Sequence, residues 1–158
     1  MHARERVPAA EGAAVKLRVG DRLVRPMDGV PWLNHHGVVI GKNKVIHLQD
    51  VENATLYRDV AVAVGMDAYG HAAVRVTTPF GFFKGHPLRV DRRPGVDPRA
   101  VVARARAAQA QRRVPYSAMF ANCESFARGV QDGQARSDQT QAMVEGLAAF
   151  ALGCWLGW

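Results

Sequence analysis

Two short runs of the sequence hold the side chains that could perform nucleophilic chemistry. The run Asn34 to Asp50, NHHGVVIGKNKVIHLQD, carries three of the six histidines, at positions 35, 36 and 47, and the run Ala121 to Ala127, ANCESFA, carries Cys123. A thiolate attacks carbonyl carbons, and a neighbouring imidazole can accept the thiol proton and later donate it to the leaving group. If the two runs meet in the fold, they predict a cysteine-dependent enzyme that transfers or hydrolyses acyl groups.

The sequence around Cys123 favours a reactive thiol. A cysteine taken alone is more often a buried small hydrophobic residue than a nucleophile. Asn122-Cys123-Glu124, however, opens a predicted helix, whose unpaired N–H groups and positive dipole end favour the thiolate. The other cysteine, Cys154, lies in very different, apolar surroundings, so the two predict no disulfide framework and a reducing compartment.

The histidines of the first run are the candidate partners for this thiol. The other three are expected to be solvated, because they lie in a polar tail or in glycine-flanked loops: His2, His71 and His86. Side chains alternate between the two faces of a strand, so the loop of the predicted hairpin decides which histidine shares a side with His47. An odd loop centred on Asn43 puts His35 on that side, whereas a two-residue Lys42-Asn43 loop aligns His36 instead. Asn43 tolerates the left-handed conformation of the odd loop, but turn chemistry alone does not decide.

The first two thirds of the chain predict the strands that must position the histidines. Strands are expected near residues 19–25, 37–40, 44–48, 74–77 and 87–91, where β-branched or alternating apolar residues lie between turn signals. Residues 51–73 contain short β-biased pieces, and Phe80 to Gly85 is predicted to be a loop. These strands predict a small antiparallel sheet.

The last third of the chain predicts helices. Asp97 followed by proline starts a helix over residues 98–111, whose arginines at 99, 104 and 106 are expected to form a solvated face. Residues 115–117 are predicted to be a loop. A second helix carries Cys123 and ends near Gly133, and a last helix begins at Ser137 or Asp138 and runs into the apolar C-terminus.

Length and composition predict one domain with tails. A chain of 158 residues, 48% of them apolar, can bury a core, which we assign to residues 18–134, after a flexible lead-in over 1–17. The charged N-terminus has no signal-peptide core, so we expect a cytoplasmic protein. Residues 135–158 are predicted to form an apolar C-terminal helix.

Charge and the C-terminal segment indicate which partners the surface could bind. The formal net charge of +7 comes mainly from arginine and favours anionic partners such as phospholipid headgroups. Residues 146–158 carry no charge and span about 20 Å as a helix, short of the roughly 30 Å hydrocarbon core, so they fit core packing or contact with a membrane surface equally well. Nucleic acid is not expected, because the arginines are dispersed and few aromatic residues lie among them.

Taken together, these motifs resemble the lecithin:retinol acyltransferase family, which includes the HRAS-like-suppressor phospholipase/acyltransferases. The resemblance rests on the run from His35 to Gly41, on His47-Leu48 twelve positions on, and on the run from Asn122 to Ala127. Gly20-Asp21, the run from Gly85 to Val90, and the segment from 135 to 139 with its apolar tail extend it over residues 18 to 158. It implies an α+β fold of the circularly permuted NlpC-type papain-like class, with an antiparallel sheet packed on helices.

The resemblance also implies roles for individual residues. Cys123 matches the nucleophile, His35 the general base and His47 the third polar residue, while Asn122 and Glu124 match the motif without an assigned chemical role. Two positions depart from the family pattern: Ser125 replaces a usual histidine, and His36 replaces a usual aromatic residue. We interpret the change at 125 as bearing on substrate fit rather than on activity.

The implied reaction is cysteine-dependent hydrolysis or transfer of phospholipid acyl groups through a thioester, with no cofactor and no metal. Backbone N–H groups near the cysteine are expected to stabilise the oxyanion. Two alternatives remain open at this stage: a cysteine amidase or peptidase of the wider superfamily, and a catalytically silent adaptor on the same scaffold. The apolar C-terminus favours the lipid reading over the peptide reading, and the complete set of three matched positions argues against the adaptor.

Overall fold

The structure is a computed structural model that describes residues 5–7, 16–28, 30–50, 69–117, 122–138, 141 and 145. Within these residues, strands and helices follow one another in this order: β1 (Glu5–Val7), β2 (Arg22–Met27), β3 (Val30–Gly41), β4 (Lys44–Asp50), β5 (Tyr69–Thr77), α1 (Pro79–Phe83), β6 (Arg89–Arg92), α2 (Pro98–Gln111), β7 (Arg113–Ser117) and α3 (Cys123–Asp132).

The strands form one antiparallel sheet in the order β1-β6-β2-β3-β4-β5-β7. Helices α2 and α3 pack against each other and against β3, so the predicted α+β class, a small antiparallel sheet packed against helices, is confirmed. The predicted division into lead-in, domain and tail stays a prediction, as does the circular permutation. The apolar segment 146–158 lies outside the described residues.

The β3–β4 hairpin combines features of both loops that the sequence allowed. Gly41 pairs with Lys44, so the turn itself is the two-residue Lys42-Asn43 loop, and Asn43 has a left-handed φ of 57°. The register then shifts between Val39 and Gly41, which leaves one extra residue in β3 as a β-bulge. Beyond the bulge, Gly37 pairs with His47.

The bulge decides which histidine shares a face with His47. Residues directly opposite in an antiparallel pair share a face, as do residues two apart in one strand. Since Gly37 is opposite His47, His35 lies on the face of His47 and His36 lies on the other. The extra residue therefore gives a two-residue turn the side-chain arrangement expected of an odd loop.

The two faces of the sheet carry separate apolar clusters. On the helix face, Val38 and Ile46 pack with apolar residues of α2 and α3 that include Val101, Ala105, Ala127 and Val130. On the opposite face, Leu23, Val39, Val45 and Val90 surround the ring of Phe82 from α1. The face of His35 and His47 is therefore covered by the short helix α1, whereas α2 and α3 cover the face of His36.

Two segments predicted as loops are regular elements. Residues 79–83 form α1, in which Pro79 occupies the first turn and the Thr78 hydroxyl accepts a hydrogen bond from Gly81 N–H at 3.0 Å. Residues 113–117 form β7 despite Pro115, because β7 lies at the edge of the sheet, where a residue without an N–H is tolerated. The prediction of loops at both places was wrong.

Strand β1 and the side chain of Arg104 each contact a neighbouring element. Glu5–Val7, within the segment predicted to be a lead-in, pairs with β6 as strand β1. Arg104 of α2 donates hydrogen bonds to the carbonyls of Val130 and Gln131 at 2.8 and 2.7 Å, where it binds the C-terminal end of α3. Arg99 and Arg106 are exposed, as predicted.

A methyl group at Gly37 would test the packing that holds α1 on the sheet. A Cβ there would lie 2.8 Å from Cε2 of Phe82 and 2.8 Å from Cγ1 of Val45, both inside van der Waals contact. We expect Gly37→Ala to lower the free energy of unfolding by about 1–3 kcal/mol, the usual cost of overpacking a core.

Gly41→Ala, in the same strand, is the matched control for that measurement. The nearest atom to a Cβ at Gly41 is Cδ of Lys44 at 4.0 Å, so chemical denaturation should detect little change. Equal stability of the two variants would contradict the close approach of Phe82 to β3.

Candidate active site

His35 and His47 form a hydrogen-bonded pair across the β3–β4 ladder. Nε2 of His35 lies 3.2 Å from Nδ1 of His47, and the two rings meet edge to face at an interplanar angle of 85°. Nδ1 of His47 also lies 3.1 Å from the carbonyl oxygen of Leu48. One ring nitrogen of His47 therefore has two neighbours, and its tautomer decides whether it donates or accepts toward His35.

The ring of Phe82 packs against both histidines. It stacks on His35 with 5.2 Å between centroids and an interplanar angle of 22°, and it meets His47 in a T-shaped contact at 5.5 Å. The guanidinium of Arg25 lies 5.7 Å from the centroid of the same ring, and Arg25 is the cross-strand partner of His35 in β2. The ring of Phe82 thus packs against the histidine pair, and the guanidinium of Arg25 packs against that ring.

Both histidines of the pair are held in their neutral form. Burial is the largest cause that lowers the pKa of His35 well below its usual value, and the nearby charges of His47 and Arg25 lower it further. Burial also lowers the pKa of His47, although its contact with the Leu48 carbonyl acts in the opposite direction. Near pH 7 the pair can therefore accept a proton.

Cys123 is the first residue of α3 and lies against the strand that carries His35. Its thiol is buried and donates a hydrogen bond to the carbonyl of Asn34, the residue just before His35, at 3.4 Å. The structure therefore brings the two sequence runs together at residues 34 and 123. Helix α3 also packs along β3, which holds this contact in place.

Asn122 is the N-cap of the helix that carries Cys123. Its side-chain oxygen accepts hydrogen bonds from the amides of Glu124 and Ser125, both at 3.0 Å. Because these two amides bind the cap, they are not the oxyanion donors that the sequence predicted near the cysteine. Asn122 therefore precedes the cysteine as the residue that caps α3. The motif alone did not indicate this role.

Glu124 lies in a buried network of charges. Its Oε1 accepts from Arg128 at 3.0 Å and lies 3.5 Å from Nη1 of Arg22, and its Oε2 accepts from the Ser137 hydroxyl at 2.8 Å. Ser137 in turn accepts from the side-chain amide of Asn122 at 3.1 Å. The carboxylate therefore ties the cap of α3 to its own helix, to β2 and to the segment after α3.

The network extends through the two arginines to further carboxylates. Arg22 pairs with Asp91 of β6, and Arg128 pairs with Asp138 beyond α3. This network was not predicted from the sequence, although the spacing of Glu124 and Arg128 by four helical residues was a signal for it. For Arg25 and Phe82 the sequence held no comparable signal.

His36 and Ser125, the two residues that depart from the pattern of the resembled family, are both buried. The side chain of His36 is buried on the helix face, where burial and the charge of Arg22 lower its pKa to about 3. Ser125 is buried, and its hydroxyl donates to the Asn122 carbonyl at 2.9 Å. Neither side chain belongs to the pair formed by His35 and His47.

Among the described residues, no group of three or more histidine, cysteine or carboxylate side chains could hold a metal ion. None of the helices in the described part of the chain is long and apolar enough to cross a membrane.

Comparison with known proteins supports the resemblance noted in the sequence. Residues 15–136 match the family model of lecithin retinol acyltransferase. The matched range covers β2 through α3 and therefore includes the histidine pair and Cys123. No curated protein matches the chain.

Removal of the Glu124 charge tests whether the network stabilises the start of α3. We expect Glu124→Gln to lower the free energy of unfolding by about 3 kcal/mol, because it leaves two buried arginines without their shared carboxylate. Glu145→Gln, at an exposed position, is the control and should change stability by less than about 0.5 kcal/mol. Chemical denaturation would measure both, and equal values would contradict the proposed importance of the network.

Proposed function

Because this chain belongs to the lecithin retinol acyltransferase family, we propose that it is a cysteine-dependent phospholipid acyl hydrolase or acyltransferase. The family supports acyl transfer or hydrolysis as the type of reaction, and the finer assignment rests on the site. The observations that carry it are the neutral His35–His47 pair on β3 and β4 and the Cys123 thiol at the start of α3, whose hydrogen bond to the Asn34 carbonyl reaches the backbone next to His35.

In the proposed reaction, Cys123 attacks the carbonyl carbon of an acyl ester. His35 accepts the thiol proton as the C–S bond forms, and donates it to the alkoxide oxygen as the C–O bond breaks. The product of this half-reaction is a thioester on Cys123 and a free alcohol. His35 then takes a proton from water or from an acceptor amine, which attacks the thioester and restores the thiol.

His47 orients the base in this scheme. When Nε2–H of His35 donates to Nδ1 of His47, the other ring nitrogen of His35 is the one that carries no proton and can act as the base. The same hydrogen bond persists after His35 accepts the thiol proton, because the imidazolium has two N–H groups. His47 is therefore a positioning residue that fixes the orientation and tautomer of His35.

The start of α3 supports the nucleophile. The aligned peptide dipoles of a ten-residue helix lower the energy of negative charge at its first residue, which is Cys123. The Asn34 carbonyl accepts a hydrogen bond from the thiol but not from the thiolate, so it favours the protonated form in the resting enzyme. Proton transfer to His35 and attack on the ester therefore belong to one step.

Phospholipid esters are the substrate class that we favour. The net charge of +7 attracts anionic headgroups, and the uncharged residues 146–158 suit an enzyme whose substrate lies in a bilayer. The same residues could cleave an amide, so the proposal distinguishes lipid from peptide by experiment rather than by the site alone. These considerations also lead us to propose that the protein works at a membrane surface on the cytoplasmic side.

Substitution of the three proposed residues gives the direct test. With phosphatidylcholine vesicles under reducing conditions, we expect the wild-type protein to release fatty acid and to gain the mass of one acyl group on Cys123. Cys123→Ser and His35→Ala should lower the rate by at least about a hundredfold, since each removes a reacting group. His47→Ala should lower it by about tenfold or more, because the base remains but is no longer oriented.

Two variants control that experiment. Cys154→Ser keeps the proposed nucleophile, and His36→Gln keeps the proposed base, so both should retain most of the activity. A larger loss with His36→Gln than with His35→Ala would contradict the assignment of the base. An acyl mass gained from peptides and not from phospholipids would instead support an amidase or peptidase.

The pH dependence of the rate tests the state of His35. The base works in its neutral form, and the lowered pKa keeps it neutral as the pH falls through 6.5. We therefore expect kcat/KM on a soluble ester to stay nearly constant from pH 7 to below 6.5, and to fall only when the pH passes the lowered pKa. An acid limb with its midpoint at or above pH 6.5 would contradict this prediction.

A further inference from the structure

Helix α1 presents one aromatic ring to the histidine pair and another to solvent. Phe82 is 1% exposed and packs on His35 and His47, whereas Phe80 is 83% exposed. Two residues along a helix turn by about 200°, so the two rings point in nearly opposite directions. Among the described residues, Val76 is the other large hydrophobic side chain that is exposed, at 36%.

The exposure of Phe80 comes from the way α1 is built. Thr78 caps its first turn, and Lys84 ends it in a left-handed conformation with φ of 49°. This single short turn holds Phe82 in the cluster of Leu23, Val39, Val45 and Val90, and therefore holds Phe80 outward.

Three basic side chains surround Asp28, two of them from the segment that follows α1 and one from β2. Lys84 donates to Asp28 at 3.2 Å, His86 lies 2.7 Å from the same carboxylate, and Arg25 donates to it at 3.0 Å. Partial burial would raise the pKa of Asp28, but hydrogen bonds from Arg25 and His86 lower it to about 2, so it remains charged. The Arg25 side chain is buried at 5% exposure, whereas Lys84 is 56% exposed, so Lys84 is the basic side chain of this group that an outside partner reaches most easily.

We propose that α1 is a membrane-contact element, in which Phe80 inserts its ring among lipid acyl chains and the exposed Lys84 faces anionic headgroups. A large exposed aromatic ring beside a cationic side chain favours the interface of an anionic bilayer. The residues of this surface are other than 146–158, on which the expectation of membrane contact from the sequence rested.

This inference deepens the proposed function and rests on it, because contact with a membrane would serve an enzyme whose substrate lies in the bilayer. An ester in a bilayer lies just below the headgroups, and the enzyme must approach it there. Because the same short helix carries Phe80 and Phe82, insertion of Phe80 would bring the histidine pair close to the lipid surface. The contact itself can be measured whether or not the chain is an active acyl hydrolase.

A dye at position 80 reports this contact directly. In full-length protein with Cys123→Ser and Cys154→Ser, which removes both thiols, Phe80→Cys is labelled with a nitrobenzoxadiazole dye and mixed with phosphatidylcholine vesicles with or without phosphatidylserine. We expect the emission to shift to the blue and gain intensity with vesicles, more strongly when phosphatidylserine is present. Val76→Cys, labelled in the same background, is the matched control and should respond much less.

Binding of unlabelled protein gives the second measurement. Phe80→Ala should weaken vesicle binding by about tenfold, while Val76→Ala should bind as the wild type does. Phe80→Ala should also keep the wild-type rate on a soluble short-chain ester, since Phe80 does not contact the histidines. If no variant hydrolyses any ester but the dye still responds, the proposed function fails and the membrane contact stands.

Three results would overturn the inference. The dye at position 80 could remain unchanged with every vesicle, or it could respond no more than the dye at position 76, in which case another part of the chain makes the contact. It could also respond to rising protein concentration without lipid, which would assign the exposed ring to a contact between copies of the chain.

Discussion

The site depends on a constraint of strand geometry, because successive side chains of a strand point to opposite faces of the sheet. His35 and His36 therefore cannot both meet His47, and the pairing of β3 with β4 selects one of them. The bulge between Val39 and Gly41 makes the selection, since it shifts the pairing by one residue while the turn remains at Lys42-Asn43. Without it, the two-residue turn would turn His36 toward His47 and leave His35 on the helix face.

A second set of interactions determines where the helix that carries Cys123 begins. Desolvation of Glu124, Arg22 and Arg128 costs several kcal/mol for each ion, and the network offsets this cost only when every member keeps its partners. Such a network has few arrangements of low energy. The cap at Asn122 and the link through Ser137 belong to it, so the position of Cys123 follows from charges that take no part in the proposed reaction.

The features that the sequence predicted best are those with local causes. The helix over residues 98–111 begins and ends where Asp97, Pro98 and the helix-forming run indicated, and α3 ends at Gly133, whose φ of 82° suits glycine. The features that were missed depend on distant partners. Strand β7 contains a proline that only an edge position tolerates, and β1 exists through its pairing with β6, more than eighty residues away.

The candidate site divides in the same way. The residue types and the family pattern identified Cys123, His35 and His47, and their catalytic roles remain predictions that the proposed substitutions address. The face shared by His35 and His47 could not be derived from turn chemistry, because a bulge depends on how a whole strand pairs with its neighbours. The contacts of Phe82 and Glu124 could not be predicted from the sequence either, since each joins residues from elements far apart in the chain.

His35 and His36 are neighbours in β3, but their side chains lie on opposite faces of the sheet. His36 faces Arg22, Arg128 and Glu124 on the helix side of the sheet. A pKa of about 3 means that this imidazole is an uncharged ring in the folded protein at any pH where the enzyme would work. The pattern that the sequence resembles has an aromatic residue at this position, and a neutral imidazole is likewise a flat aromatic ring. His36 therefore contributes a flat, uncharged ring to the helix face of the sheet, near the buried guanidinium groups of Arg22 and Arg128.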